Sequence, residues 1–116
     1  LVLSDRMHFF LGDGLRAVTG QWDFIISNPP YVDPEYVGQL QQELDHEPFD
    51  ALFSRTGGME LTQRLIKCAS ELDCPLVVFE LAEYNVQMLG EFAWSCGFRT
   101  EIKADYSGKN IFLILR

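Results

Sequence analysis

The residues of this sequence best suited to chemistry are the consecutive four at Asn28-Pro29-Pro30-Tyr31. The two prolines remove two backbone N–H donors, fix their own φ at about −65° and hold the preceding residues extended. What remains is a rigid corner rich in hydrogen-bond acceptors. The Asn28 side-chain oxygen and the Pro29 carbonyl oxygen can together accept both hydrogens of a planar –NH2 group, and Tyr31 offers a flat face for stacking. The corner therefore predicts a site for an amide or an aromatic amine.

Such a corner suits the transfer of a methyl group to nitrogen. The nitrogen of an amide or an aromatic amine is a poor nucleophile because its lone pair is delocalised. Acceptors that hold both N–H bonds stabilise the positive charge that develops during attack and aim the nitrogen at a methyl donor. No strong base is required first, since the proton becomes acidic once the methyl group has moved. We expect Asn28, Pro29 and Tyr31 to be catalytic, in a substrate pocket that also includes Pro30.

The flanking elements place this corner where α/β proteins bind ligands. Short apolar runs alternate with amphipathic stretches, which is typical of an α/β fold. Strands are expected at Met7–Leu11, Asp23–Ser27 and Leu76–Leu81. Asn28 directly follows the second strand, and open α/β sheets bind ligands at the carboxyl ends of their strands. That place favours a functional corner over the alternative of a plain surface turn, in which Asn-Pro and Pro-Pro are also common.

Three amphipathic helices are expected between and after these strands. The first begins at Asp33, a good N-cap, and the third spans Asn85–Cys96 with Gly97 just past its end. The second follows a Gly-Gly pair and ends before Pro75. Its apolar stripe, which is expected to face the core, is formed by Leu61, Leu65, Ala69 and Leu72.

The C-terminal residues predict a hairpin with an unusual strand order. Residues 99–105 alternate charged side chains with Thr100, Ile102 and Ala104, which is typical of an edge strand. Ile111–Leu115 is apolar throughout, as expected for an interior strand. The connection between them is a short turn, so the two strands must be antiparallel. The last strand of the chain is therefore expected inside the penultimate one.

With these elements assigned, the stretch from Phe10 to Leu52 resembles the HemK-type protein-(glutamine-N5) methyltransferases of peptide-chain release factors. The resemblance continues more loosely to Arg116. It is carried by Gly12-Asp13, by residues 23–32 (DFIISNPPYV), by Glu43, by His46-Glu47-Pro48 and by Ala51-Leu52. The acceptor corner by itself would also suit methyltransferases that act on adenine or on other amino groups.

The resemblance implies a cofactor, a partner and a fold. The cofactor is S-adenosyl-L-methionine, with Asp13 and Gly14 near its adenine and Asn28 against both cofactor and substrate. The partner is a release factor, whose Gly-Gly-Gln loop supplies the target glutamine. The fold is a Rossmann-like class I methyltransferase sheet with a C-terminal antiparallel hairpin. Residues 1–116 would be the C-terminal part of that domain, without its first two strands and its glycine-rich cofactor loop, and this chain by itself is expected to be inactive.

Composition bounds the remaining possibilities. The 116 residues suit one domain, and 17 acidic against 9 basic residues give a net charge of −8, which disfavours nucleic acid as a partner. No apolar run is long enough to span a membrane. Three cysteines, Cys68, Cys74 and Cys96, show no zinc-site spacing, so we expect no metal and reduced thiols in a cytoplasmic protein.

Two alternatives stay open. One is an amino-group methyltransferase for adenine or guanine in nucleic acid, using the same corner. The other is a non-catalytic partial domain that needs a partner for the cofactor half. Without the first two strands of the class I sheet, the strand before Asn28 has an open edge. We therefore expect self-association through that edge or a displaced Met7–Leu11 strand. Glu80 interrupts an apolar strand, where a buried carboxylate is costly unless it is paired. It is expected either to anchor a loop by the substrate pocket, as its position in the resembled family implies, or to form a salt bridge.

Overall fold

The computed structural model of the protein describes residues 5–30 and 59–116. The described residues form a mixed α/β fold, as the sequence predicts. The first helix expected from the sequence, which begins at Asp33, lies outside the described residues. The elements are β1 (Ile25–Ser27), α1 (Met59–Glu71), β2 (Val77–Glu80), α2 (Glu83–Ser95), β3 (Thr100–Ala104) and β4 (Asn110–Leu115).

The strands form a four-stranded sheet in the order β1-β2-β4-β3. β1 and β2 are parallel, with Ser27 opposite Phe79. β4 is antiparallel to β2 on one side and to β3 on the other. The hairpin predicted from the alternation of charges is therefore confirmed, and the last strand lies inside the penultimate one.

Charged and polar side chains hold the β3–β4 hairpin together at its exposed edge. Glu101 accepts a hydrogen bond of 3.0 Å from the Arg116 guanidinium, which with nearby Lys103 lowers the pKa of the Glu101 carboxyl. In the turn, one Asp105 carboxylate oxygen accepts from the Ser107 hydroxyl at 2.7 Å, the Ser107 N–H at 2.8 Å and the Lys109 N–H at 3.0 Å. These donors, the Ser107 hydroxyl first, lower the pKa of Asp105.

The core lies between one face of the sheet and the two described helices. Side chains that point to this face are fully buried on the two inner strands: Val77, Phe79, Leu113 and Leu115. Gly90 of α2 lies against this face, where an added Cβ would come 3.4 Å from a Leu113 methyl carbon. α2 buries Val86, Leu89 and Ala93, and Gly97 ends it at a φ of +100°, the left-handed cap predicted from the sequence.

The buried stripe of α1 differs from the predicted one. Ala69 is buried as predicted, together with Thr62 and Ile66, whereas Leu61 and Leu65 are half-buried and Leu65 still packs against the core. The two leucines lie one residue before the buried stripe, which turns them about 100° around the helix axis. There they face residues 13–18. This contact explains why α1 carries a second row of apolar side chains beside the row that faces the core.

The structure differs from the sequence-based expectation at two places. Met7–Leu11 forms no strand, and all five of its residues are exposed, because no strand in the described part of the chain lies beside it and a lone strand has no hydrogen-bond partners. Glu80 is exposed and not buried. It is the last residue of β2 and points to the face of the sheet opposite the described helices, so its carboxylate stays in water.

The cysteines agree with the prediction of free thiols. Cys68, Cys74 and Cys96 are all unpaired with one another, and the buried Cys74 thiol lies 3.4 Å from the Leu76 carbonyl oxygen. In the part of the chain that the structure describes, no helix has both the length and the apolar character needed to cross a membrane.

Candidate active site

The acceptor corner begins where β1 ends. Asn28 directly follows Ser27, the last residue of β1, and its side chain is exposed. Pro29 is buried and Pro30 is exposed, so the first proline ring packs into the protein and the second faces solvent. Tyr31, the predicted stacking residue, lies outside the described residues. The exposed Asn28 amide therefore lies at the end of a strand whose neighbour is the parallel strand β2.

The carboxyl ends of the two parallel strands form one edge of the sheet. Ser27 lies opposite Phe79, so the register brings Asn28 level with Glu80. α2 starts at Glu83 directly after β2, with Ala82 as an N-cap that makes no side-chain hydrogen bond. The positive end of the α2 dipole and two exposed carboxylates thus lie at the same edge as Asn28. A polar ligand at this edge would find donors and acceptors from three elements.

A turn at Asp13 and Gly14 borders a second candidate site, and the residues that line its cleft include neither Asn28 nor Pro29. The Arg16 guanidinium lies 3.3 Å from the Asp13 carboxylate, and both side chains are exposed. Gly14 has a φ of +56°, and a Cβ added there would come 3.1 Å from a methyl carbon of Leu65 on α1. Glycine is favoured at this position for both reasons, because the left-handed backbone disfavours other residues and an added Cβ would force the Leu65 side chain to shift.

Between this turn and α1 lies an open cleft of about 400 Å³. Its walls are apolar below and charged at the rim, which is the usual make-up of a small-molecule site. One wall is formed by residues 13–16 and Val18, and the other by Leu61, Arg64, Leu65, Lys67, Cys68, Glu71 and Leu72 of the α1 region. Asp13 and Gly14, which the resemblance implies as cofactor-binding residues, line this cleft. The wall from α1 was not predicted, because the sequence pattern assigned Leu61 and Leu65 to the core.

The described residues offer no metal centre. Across residues 5–30 and 59–116, histidine, cysteine and carboxylate side chains nowhere gather in threes or more in a way that could hold a metal ion. The polar groups of the site are instead an amide, carboxylates and guanidinium groups. These groups bind by hydrogen bonds and charge, which is what the recognition of an organic ligand requires.

Comparison with known proteins shows what this chain is similar to. No protein-family model matches the chain. The chain is similar to protein glutamine methyltransferases, and the resemblance predicted from the sequence is confirmed.

Two kinds of relative carry this similarity. The release factor glutamine methyltransferases of Thermosynechococcus vestitus and Deinococcus radiodurans are 32% identical over 120 residues and 26% identical over 110 residues, covering 97% and 93% of this chain. The ribosomal protein uL3 glutamine methyltransferase of Neisseria gonorrhoeae is 39% identical over 69 residues, or 60% of this chain. The chain spans 41%, 40% and 23% of the lengths of these three proteins.

Proposed function

We propose that this chain carries the substrate corner of a protein glutamine methyltransferase, which transfers the methyl group of S-adenosyl-L-methionine to the side-chain amide nitrogen of a glutamine. The observation that supports this most is the exposed Asn28 amide, with the buried Pro29 behind it, at the carboxyl end of a parallel strand. The relatives, which are named as glutamine methyltransferases, support the same chemistry.

The corner acts by holding the amide group of the substrate. The Asn28 Oδ1 atom and the Pro29 carbonyl oxygen accept the two N–H bonds of the glutamine amide, and Tyr31 and Pro30 enclose its plane. These acceptors stabilise the positive charge that grows on the nitrogen as the new N–C bond forms. When bound, S-adenosyl-L-methionine would supply an electrophilic methyl group on its sulfonium sulfur, which would become a neutral thioether once the methyl group is transferred. The nitrogen then releases one proton to water, with Asn28 still holding the other.

The cleft beside Gly14 fits the adenine end of this cofactor. Its volume lies within the range of small-molecule sites, and its apolar walls suit a flat ring. The Asp13 carboxylate at the rim can accept a hydrogen bond from an exocyclic amine. No described residue is assigned to the ribose or to the methionine part. We propose that residues 1–116, which span at most 41% of the lengths of these relatives, are the C-terminal part of a class I methyltransferase domain with a Rossmann-like sheet, and that this chain by itself binds the cofactor weakly or not at all.

The substrate we propose is a peptide-chain release factor, at the glutamine of its Gly-Gly-Gln loop. Similarity to the release factor enzymes extends over nearly the whole chain, whereas similarity to the uL3 enzyme covers 60% of it. The net charge of −8 opposes the alternative of an adenine or guanine methyltransferase acting on nucleic acid, since like charges repel. We place the protein in the cytoplasm, where free thiols such as these three stay reduced.

The experiment that tests this function compares substrates. The full-length protein that contains this chain is incubated with radiolabelled S-adenosyl-L-methionine and, in separate reactions, a release factor, ribosomal protein uL3 or nucleic acid. We expect label in the release factor, and none when its loop glutamine is replaced by asparagine. Label in uL3 alone would reassign the substrate within the same chemistry, whereas label in nucleic acid alone would contradict the proposed function.

A further inference from the structure

A groove between α2 and β3 combines an exposed tryptophan with a carboxylate. It has a volume of about 200 Å³ and is lined by Gln87, Gly90, Glu91, Trp94, Thr100 and Ile102. The four residues of α2 follow the spacing i, i+3, i+4 and i+7, so they form one face of the helix. β3 is the edge of the sheet opposite β1, roughly 14 Å away across the strands. The groove is therefore separate from the Asn28 corner and from any strand that pairs with the outer edge of β1.

The Glu91 carboxylate in this groove has no cation beside it among the residues that the structure describes. Glu91 is exposed, and none of the three ion pairs in residues 5–30 and 59–116 includes it. α2 itself contains two glutamates and no lysine, arginine or histidine. The Gln87 amide donates a hydrogen bond of 3.4 Å to one Glu91 carboxylate oxygen, which leaves the second oxygen to accept from a ligand.

The position of Glu91 on α2 is electrostatically unfavourable in the free protein. The C-terminal end of a helix carries a partial negative charge, which disfavours a carboxylate and favours a cation. Glu91 lies just before the last turn of α2, and that turn contains no basic residue. A cation bound beside Glu91 would therefore offset the carboxylate and the negative end of the helix together.

Trp94 supplies an aromatic face next to this carboxylate. Its side chain is 72% exposed and lies three residues after Glu91, on the same face of the helix. Indole is the best aromatic face for a cation, and a planar guanidinium can stack on it while donating two parallel hydrogen bonds to a carboxylate. A lysine ammonium lacks this planar fork. Glu91 and Trp94 therefore fit an arginine side chain better than a lysine.

We propose that the groove between α2 and β3 is a docking site for a cationic segment of a partner protein, with one arginine between Glu91 and Trp94. Tyr84 and Met88, which are also exposed on α2, extend the apolar surface beyond the groove, as contact with a protein requires. The net charge of −8 attracts a basic protein at longer range and repels nucleic acid. This interaction is independent of the methyl-transfer chemistry proposed at Asn28.

The test titrates the full-length protein that contains this chain with a short peptide that carries one arginine between glycines. The signal is the NMR shift of the Trp94 indole N–H, assigned by its loss in Trp94→Phe. We expect this signal to move, and Glu91→Gln to weaken peptide binding about tenfold, because a hydrogen bond between charged groups is lost. Glu60→Gln is the matched control, because Glu60 is an exposed glutamate of α1 and its replacement changes the net charge equally. It should leave the peptide affinity unchanged.

A second measurement needs no variant of the protein. The same peptide with citrulline in place of arginine keeps the shape of the side chain without its charge, and should bind about tenfold more weakly. Glu91→Gln should also not lower the melting temperature, since the helix end disfavours the carboxylate that it removes.

Three results of the titration would overturn the proposal: equal binding of the two peptides, equal affinity of Glu91→Gln and the unchanged protein, or a Trp94 signal that stays in place throughout. Slow hydrogen exchange of the Trp94 indole N–H in the free full-length protein would also overturn it. That result would mean that another part of the same polypeptide covers the groove.

Discussion

Asn28 is the residue on which the proposed chemistry depends most. Its place at the end of β1 follows from the sequence, because an apolar run that stops at an Asn-Pro-Pro turn ends a strand there. The structure confirms the strand and leaves the side chain exposed. The chemistry assigned to it is a proposal that substitution can test without disturbing the core.

Replacing Asn28 by alanine should reduce the rate of methyl transfer by roughly 100- to 1,000-fold, as expected when one preorganised group at a reacting centre is removed. The melting temperature should hardly change, since Asn28 is exposed. Asn110→Ala is the control, because Asn110 is an exposed asparagine on β4 of the same sheet. Equal losses in the two variants would contradict the assigned role of Asn28.

The contact between Gly14 and Leu65 gives a second prediction at the scale of single residues. Gly14→Ala should lower the free energy of unfolding by about 1–2 kcal/mol, from the left-handed backbone and the 3.1 Å approach to Leu65. In a Leu65→Ala background the same change should cost less, because the clash is removed. Urea denaturation of the four proteins measures this coupling, and strictly additive costs would show that the approach carries no strain.

At the scale of elements, the sheet is covered unequally on its two faces. The face under α1 and α2 holds the fully buried residues, whereas Phe24, Ile26, Val78, Phe112 and Ile114 point to the other face and keep part of their surface exposed. The strand predicted at residues 76–81 is apolar on nearly every position, as expected for a strand that is covered on both faces. The described elements cover only one of these faces.

Two adjacent valines of β2 test this asymmetry. Val77→Ala should cost about 2 kcal/mol of the free energy of unfolding, because Val77 is fully buried under the helices. Val78→Ala removes the same atoms from the half-exposed face and should cost less than half as much. Urea denaturation gives both values. Similar costs at the two positions would mean that the second face is also packed.

The hairpin turn predicts a pH dependence. The pKa of Asp105 is lowered in the fold by hydrogen bonds from Ser107 and Lys109. A lowered pKa adds stability above the unfolded pKa of about 4, and that stability is lost as the pH falls through the folded value. Asp105→Asn should therefore lower the melting temperature near neutral pH and not at about pH 2. Asp5→Asn, an exposed aspartate outside the elements, is the control, and equal shifts in the two variants would contradict this account of the turn.

At the scale of the whole molecule, the sequence predicted the features that depend on interactions between residues close in the chain. The alternation in residues 99–105 and the apolar run at 111–115 determine the β3–β4 hairpin, because the side-chain period fixes which face is buried. Met7–Leu11 failed as a strand because strand formation depends on a neighbour, which no local pattern contains. The sequence did not predict the wall of the cleft that α1 forms, for a similar reason. A stripe such as Leu61 and Leu65 looks the same whether it faces a core or a ligand site.

The central claim is that the acceptor corner delivers a methyl group to a glutamine amide. The most direct measurement is fragmentation mass spectrometry of a release factor after reaction with S-adenosyl-L-methionine and the full-length protein that contains this chain. We predict one added methyl group on the side-chain nitrogen of the glutamine in the Gly-Gly-Gln loop, and its loss in the Asn28→Ala variant. A methyl group on any other residue, or one that the Asn28→Ala variant still adds at the full rate, would contradict the account.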